Sequence, residues 1–193
     1  IVGASNKEKS FGRMFLEGII RMGFNDIYPV HPRDSEMTGL KAYKSIKDIP
    51  VTVDLAILMT PPAETLRIVQ ECVGKVSNGI IVFTAGFGEK GEEGRKTQEE
   101  IARIARGNEI RVIGPNALGF YCPSSKLLTF PEALSMSMPT ETGKLGVISH
   151  SGSFVDYLTC LLTAKGIRFS KAVSCGNECD LNAVDFLEYL GQD

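Results

Sequence analysis

Three serines, two glycines and a histidine crowd the stretch GVISHSGS at residues 146–153. An apolar run ends at Ser149, His150 follows, and Ser151, Gly152 and Ser153 open a pattern of helical period. Hydroxyls and backbone N–H groups at a helix start are donors placed for phosphate oxygens. Such fixed donors also stabilise the charge that develops on a phosphoryl group in transfer. A protonated His150 would add a charge-assisted contact. A nucleophilic role for it needs a base or an orienting carboxylate, and no acid within the loop is placed for one. Phosphoryl carrier, phosphate contact and exposed bystander therefore all stay open for His150. A hydrolase triad is disfavoured, because SHSGS lacks the G-x-S-x-G elbow.

A loop of this kind makes sense only if the chain handles phosphorylated ligands elsewhere, and the elements upstream supply places for them. Short β-branched runs (IVGAS, DIYPV, DLAILMT, GIIVFT, IRVIG) alternate with amphipathic segments at 11–22, 62–73 and 92–106. That alternation with short loops predicts an α/β fold, a Rossmann-like doubly wound parallel sheet. Residues 1–122 form this unit. A Pro-, Ser- and Thr-rich connector, with a hairpin as one possible form, spans 123–143. Residues 144–193 begin a second, flavodoxin-type α/β unit. Both ends of the sequence read as cut, IVGAS inside a strand and DFLEYLGQD at the close of a helix.

Ligands of open parallel sheets bind outside the carboxyl ends of the strands. The first such end is GASNKEKSFG, residues 3–12, an anion site at a helix start but not a G-x-G-x-x-G loop. The second, YPVHPRD, sets Arg33 where an NAD site wants an acid, which suits a ribose carrying a phosphate, as in NADP or coenzyme A. MTPPAE offers a rigid apolar rim, TAGFGEKG a glycine-bearing turn for close backbone approach, and GPNALG the single amide Asn116. That amide suits a pantetheine amide or an acyl carbonyl, or caps its own turn.

Bulk properties exclude other classes. A net charge of −2 without a basic cluster argues against nucleic acid. No apolar run approaches the roughly 20 residues of a membrane span. Five cysteines at irregular spacing fit free thiols in a reducing, cytoplasmic setting. Cys175 and Cys179 with two histidines in the whole chain make a poor zinc set, so no metal site is expected.

Taken in order, IVGAS…SFG, YPVHPR, TPPAE, TAGFGEKGEEG, GPNALG and GVISHSGS resemble the nucleoside-diphosphate-forming acyl-CoA synthetases. This superfamily holds the succinyl-CoA synthetase α subunits and the ADP-forming acetyl-CoA synthetases. FSKAVSCGNECDLNAVDFLEYL is similar to the single-chain ADP-forming type. The resemblance runs over essentially the whole chain as an N-terminal fragment, and it implies an acid–thiol ligase. The implied reaction joins a small carboxylic acid to coenzyme A with ATP or GTP, through acyl phosphate and a phosphohistidine lying beyond this chain. The fragment alone is expected to bind coenzyme A without turnover.

ATP/ADP and Mg are implied on an ATP-grasp domain or subunit, within an oligomer. The resemblance places Gly3, Ala4, Ser5, Ser10 and Gly12 at the coenzyme A phosphates. Val30, Pro32 and Arg33 fall at the adenosine, with Arg33 replacing the lysine often found by the 3′-phosphate. Thr60 and Pro61 flank the cofactor, Thr84, Ala85, Gly86 and Phe87 follow its pantetheine arm, and Asn116 sits by the thiol. Ser149 to Ser153 match a loop that receives the phosphohistidine, with His150 where Gln or Arg is common. Two other readings remain: a non-catalytic coenzyme A sensor, as in an acetyltransferase fusion, and an NADP-dependent oxidoreductase.

Overall fold

The computed structural model describes residues 1–130 and 138–192. Its first sheet has a parallel core of β3 (Val53–Leu58), β4 (Val76–Val82) and β5 (Arg111–Ile113). Single parallel bridges extend it, Leu58 to Val2, Val2 to Val30 and Val30 to Tyr43. By chain position the order is therefore third, second, first, fourth, fifth, sixth, the doubly wound arrangement. The strand order reverses between Val2 and β3, so the crevice where ligands bind opens there. Glu36–Met37 (β1) and Leu40–Lys41 (β2) form a small antiparallel ribbon beside it.

The sequence explains the helices on either face. In α1 (Phe11–Arg21), Ser10 Oγ accepts the Arg13 N–H as N-cap, and Phe15, Leu16 and Ile19 are buried on one stripe. In α2 (Pro62–Cys72), prolines 61 and 62 start the helix at no hydrogen-bond cost, since first-turn N–H groups have no helical partner. Its Ile68, Val69 and Cys72 pack with Ile101 and Ala105 of α3 (Glu92–Arg106) in one core.

The second sheet runs β7 (Leu127–Leu128), β6 (Gly119–Cys122), β9 (Phe169–Ser174), β8 (Leu145–Ser149). Only β8 and β9 are parallel, and α4 (Gly152–Ala164) crosses between them. β6 and β7 form a hairpin around Pro123–Ser125. The strand at 119–122, grouped by sequence with the first unit, thus hydrogen-bonds in the second sheet, because its Tyr121 and Phe120 pair with Ala172 and Val173. Of the connector at 123–143, residues 131–137 lie outside the described residues.

The two units are joined along β5. Residues 177–181 run beside it, with Leu181 N–H on Val112 O at 3.1 Å, Cys179 N–H on Gly114 O at 3.0 Å and Asn177 N–H on Pro115 O at 2.8 Å. Asp180, its side chain 2% exposed, receives Arg106 Nε at 2.6 Å, Arg111 Nε at 2.9 Å and the Val112 N–H at 2.8 Å. The short helix α5 (Ala183–Leu190) follows, capped by Asn182.

Asp156 on α4 is buried with no ion-pair partner for its carboxylate among the described residues. Burial alone pushes its carboxyl from the ordinary 3.8 to about 6. The sign follows from a folded-state value raised above the unfolded one. The protonated acid costs nothing below pH 4, and a penalty builds as pH rises from about 4 to about 6 and then stays. Asp156→Asn is therefore expected to stabilise the protein by about 3 kcal/mol at pH 7 and by much less at pH 4. Urea melts at the two pH values measure the difference.

Candidate functional site

A cleft of about 530 Å³ opens at the reversal point of the first sheet. The strand ends after Val2, Val30, Tyr43 and β3 all reach it. Gly3, Ala4, Ser5, Val30, Pro32, Thr60 and Pro61, expected from the sequence to touch a ligand, line it together. Gly3 adopts φ +89°, and a Cβ on it would meet Met59 O at 2.7 Å, so only glycine lets the first loop turn tightly over β3. The N–H groups of Ala4 and Ser5 find no acceptor among the described residues. Donors left open at a strand-to-helix turn fit a diphosphate.

Other expected residues build the cleft rather than line it. Ser10 Oγ donates to Lys7 O at 2.7 Å while capping α1, so its proton is already committed. Gly12 lies behind the loop, where a Cβ would stand 2.5 Å from Gly3 O, and its role is to let α1 approach the first strand. Arg33 is exposed and is absent from the lining. His31, two residues before it, does line the cleft; its Nδ1 accepts the Asp34 N–H at 3.2 Å and the Arg33 N–H at 3.4 Å. Those contacts turn the loop sharply, and Asp34 Oδ2 lies 3.5 Å from the same nitrogen.

The glycine-bearing turn after β4 differs most from its sequence reading. Thr84 Oγ1 donates to Thr60 O at 2.6 Å and Thr84 O accepts the Asn116 N–H at 3.0 Å, which locks three strand ends together. Ala85 is exposed. Gly86 is required by Pro62, whose Cγ would lie 2.8 Å from a Cβ there. Phe87 is fully buried in the core, so its ring faces away from the mouth. The Gly86 and Phe87 N–H groups both donate to the Glu89 carboxylate, which occupies the turn as an internal anion. Burial pushes the Glu89 carboxyl up, but those N–H groups and the Asn177 amide outweigh it and hold it below the usual range. Nothing in the spacing of TAGFGEKG distinguishes a turn that waits for a ligand from one filled by its own glutamate.

Residues 1–123, which contain every wall of this cleft, match the CoA binding domain family. The chain belongs to that family. Residues 142–193 match the succinyl-CoA ligase like flavodoxin domain, and the pair of domains places the chain in the nucleoside-diphosphate-forming acyl-CoA synthetase superfamily. The chain is 36% identical to acetate–CoA ligase [ADP-forming] II subunit alpha of Pyrococcus furiosus, covering 98% of this chain and 40% of that protein. It is 34% identical to 4-hydroxybutyrate–CoA ligase [ADP-forming] of Nitrosopumilus maritimus, over 98% of this chain and 27% of that one. Among solved structures, the dinucleotide forming acetyl-coenzyme A synthetase 1 of Ca. Korarchaeum cryptofilum superposes with a TM-score of 0.89 at 31% identity. That match covers 100% of this chain and 41% of the other. The chain thus spans less than half the length of these relatives.

In this CoA binding family member the serine loop lies apart from the cleft's lining, against the GPNALG turn and residues 176–178. Ser149 Oγ accepts the Ser151 N–H at 3.1 Å and Ser151 Oγ caps α4 through the Phe154 N–H at 3.2 Å. The start of α4 abuts the GPNALG turn, since a Cβ on Gly152 would meet Leu118 Cγ at 2.6 Å. Ser153 and Asn116 are exposed, and Asn116 Nδ2 donates to Asn177 Oδ1 at 3.4 Å. His150 Nδ1 lies 3.1 Å from Gly176 O, and its Nε2 lies 3.5 Å from Glu178 Oε1. An acid therefore does stand beside His150, supplied by a loop 28 residues downstream that the GVISHSGS segment alone could not reveal. It faces Nε2 while Nδ1 is turned to the carbonyl. A phosphoryl group on Nε2 would be repelled by that carboxylate, so the geometry counts against the carrier reading.

The cleft also contains residues the sequence left unassigned: Lys44, Ser45, Ile46, Glu64, Arg67, Ile68 and Glu71. Lys44, Ser45 and Ile46 follow a strand that is only one bridge long. Those on α2 recur with helical spacing from Glu64, so that face was in principle readable once the crevice was placed.

Proposed function

We propose that this chain is the coenzyme A-binding part of an ADP-forming acyl-CoA synthetase, an acid–thiol ligase that joins a small carboxylic acid to coenzyme A. The observation that carries the reading is the cleft at the sheet's reversal point, with open N–H donors on its first loop, lying wholly inside the CoA binding family match. Gly3, Ala4 and Ser5 hold the diphosphate, Val30, Pro32 and Ile46 enclose the adenosine, and Thr60 and Pro61 border the cofactor on the β3 side. Asn116 and the Ser149–Ser153 loop meet around Gly176 and Glu178, where the thiol end and a phosphoryl group are brought together. His150 serves there as a contact residue and not as the carrier.

ATP or ADP with Mg belongs to an ATP-grasp domain or subunit that completes the catalytic assembly, and the phosphohistidine arises outside these residues. The subunit alpha named for the Pyrococcus relative supports a partner of this kind. No helix of the described residues is long and apolar enough to cross a membrane, and all five cysteines are free thiols, which supports a cytoplasmic enzyme. Calorimetric titration of the chain with coenzyme A and with NADPH tests the reading. Saturable binding of coenzyme A alone is expected, and binding of NADPH alone would overturn it in favour of an oxidoreductase.

A further inference from the structure

The loop that follows β9 lies on both the serine loop and the turn that carries Asn116. The Cys175 N–H donates to Ser149 O at 2.9 Å, Gly176 O faces His150 Nδ1 at 3.1 Å, and the Asn177 N–H donates to Pro115 O at 2.8 Å. Gly176 lets the loop rest directly on the GPNALG turn, since a Cβ there would stand 2.2 Å from Pro115 O.

The side chain of Asn177 is engaged at both of its polar atoms. Its Nδ2 donates to Glu89 Oε2 at 2.5 Å and to Gln98 Oε1 at 3.0 Å, and its Oδ1 accepts from Asn116 Nδ2 at 3.4 Å. Gln98 Oε1 also accepts the Gly88 N–H at 3.2 Å, and the Glu89 carboxylate holds the Gly86 and Phe87 N–H groups. From a loop of the second unit, Asn177 thus ties together the turn after β4, helix α3 and the turn after β5. Asn116 stands at φ +59°, a left-handed conformation that asparagine tolerates better than most residues, with its N–H on Thr84 O at 3.0 Å.

We propose that Asn177 is a positioning residue for the thiol end of the cofactor, holding the Asn116 amide in place against the turn that Glu89 closes. The assignment rests on the coenzyme A reading of the cleft and adds to it what fixes Asn116. The hub needs two donors and one acceptor on a short side chain, which is the inventory of asparagine. Aspartate in its place would set a carboxylate against the oxygens of Glu89 and Gln98. A group held before the ligand arrives loses less rotamer freedom on contact with it. The gain falls on the pantetheine arm and thiol, and not on the adenosine and phosphates over Gly3 to Ser5.

The test is calorimetric titration of the intact chain with coenzyme A and with adenosine 3′,5′-bisphosphate, which lacks the pantetheine arm. Wild type should bind coenzyme A more tightly. Asn177→Ala should lose about five- to tenfold in affinity for coenzyme A, the scale of one lost hydrogen bond, and leave the bisphosphate unchanged. Asn177→Asp, of the same shape, should lose as much. Adding Glu89→Gln to it returns a donor opposite the new carboxylate and should restore most of the preference. A merely structural role would lower the melting temperature and leave the ratio of the two affinities as it was. Should Asn177→Ala not fold, Asn177→Asp and its double variant carry the test. If coenzyme A binds but the ratio survives both single variants, or wild type binds the two ligands equally, or Glu89→Gln fails to restore the ratio, the assignment is wrong while the cleft reading stands. If wild type binds neither ligand, the cleft reading fails and the assignment with it.

Discussion

Asp180→Ala is expected to lower the stability of the protein by about 2–3 kcal/mol and to loosen the second unit from the first. The carboxylate is buried and takes three donors, two of them arginines anchored on the first unit. Removing one member of a fully buried ion pair costs more, about 3–5 kcal/mol, because a charge is stranded. Here Arg106 and Arg111 are half exposed and rehydrate, so the loss falls chiefly on the buried Val112 N–H.

The same site carries a pH signature. Burial pushes the Asp180 carboxyl up, yet the hydrogen bonds from Arg111, Arg106 and Val112 outweigh it and hold it below its ordinary value. A folded-state value below the unfolded one gives stability that is complete above the ordinary carboxylate range and disappears as pH falls through the lowered value. Wild type should therefore lose stability in acid more steeply than Asp180→Ala. Chemical denaturation of both proteins from pH 7 down to pH 3 measures this, and parallel curves would remove the ion cluster from the account.

The second large effect is expected at Gly12. A methyl group there would lie 2.5 Å from Gly3 O and 3.1 Å from Ala4 Cα, both backbone atoms of the loop after the first strand. Neither can yield without moving the loop or the start of α1. Gly12→Ala should cost about 2 kcal/mol through overpacking. By displacing the Ala4 and Ser5 donors it should weaken coenzyme A binding by about tenfold or more. Gly18 on the same helix is the control, since a Cβ there meets nothing nearer than 3.6 Å. Gly18→Ala should leave binding unchanged and raise stability slightly through helix propensity. Thermal melts with calorimetric titration separate the two outcomes, and equal behaviour of the two variants would contradict the close approach of α1 to the loop.

What the sequence revealed follows from what is local. The strand cores at 55–58 and 79–82 and the helix at 92–106 announce themselves by short apolar runs and by 3.6-residue periodicity, whereas Ser77 and Asn78 hide the start of β4. The reading of the crevice as a coenzyme A site stood on loops each written in one stretch of chain. The strand through Tyr43 left no such trace, because it is one bridge long and flanked by lysines, and Lys44 was missed with it. The crossing of residues 119–122 into the second sheet depends on partners at 172–174, far along the chain. Glu89 closing its own turn and Glu178 reaching His150 are contacts between loops, which no spacing within either loop encodes.

A crystal structure of this chain grown with coenzyme A would measure the central claim most directly. The account predicts the diphosphate over Gly3 to Ser5, with the adenosine between Pro32 and Ile46. Coenzyme A bound elsewhere on the chain, with these strand ends empty, would contradict it.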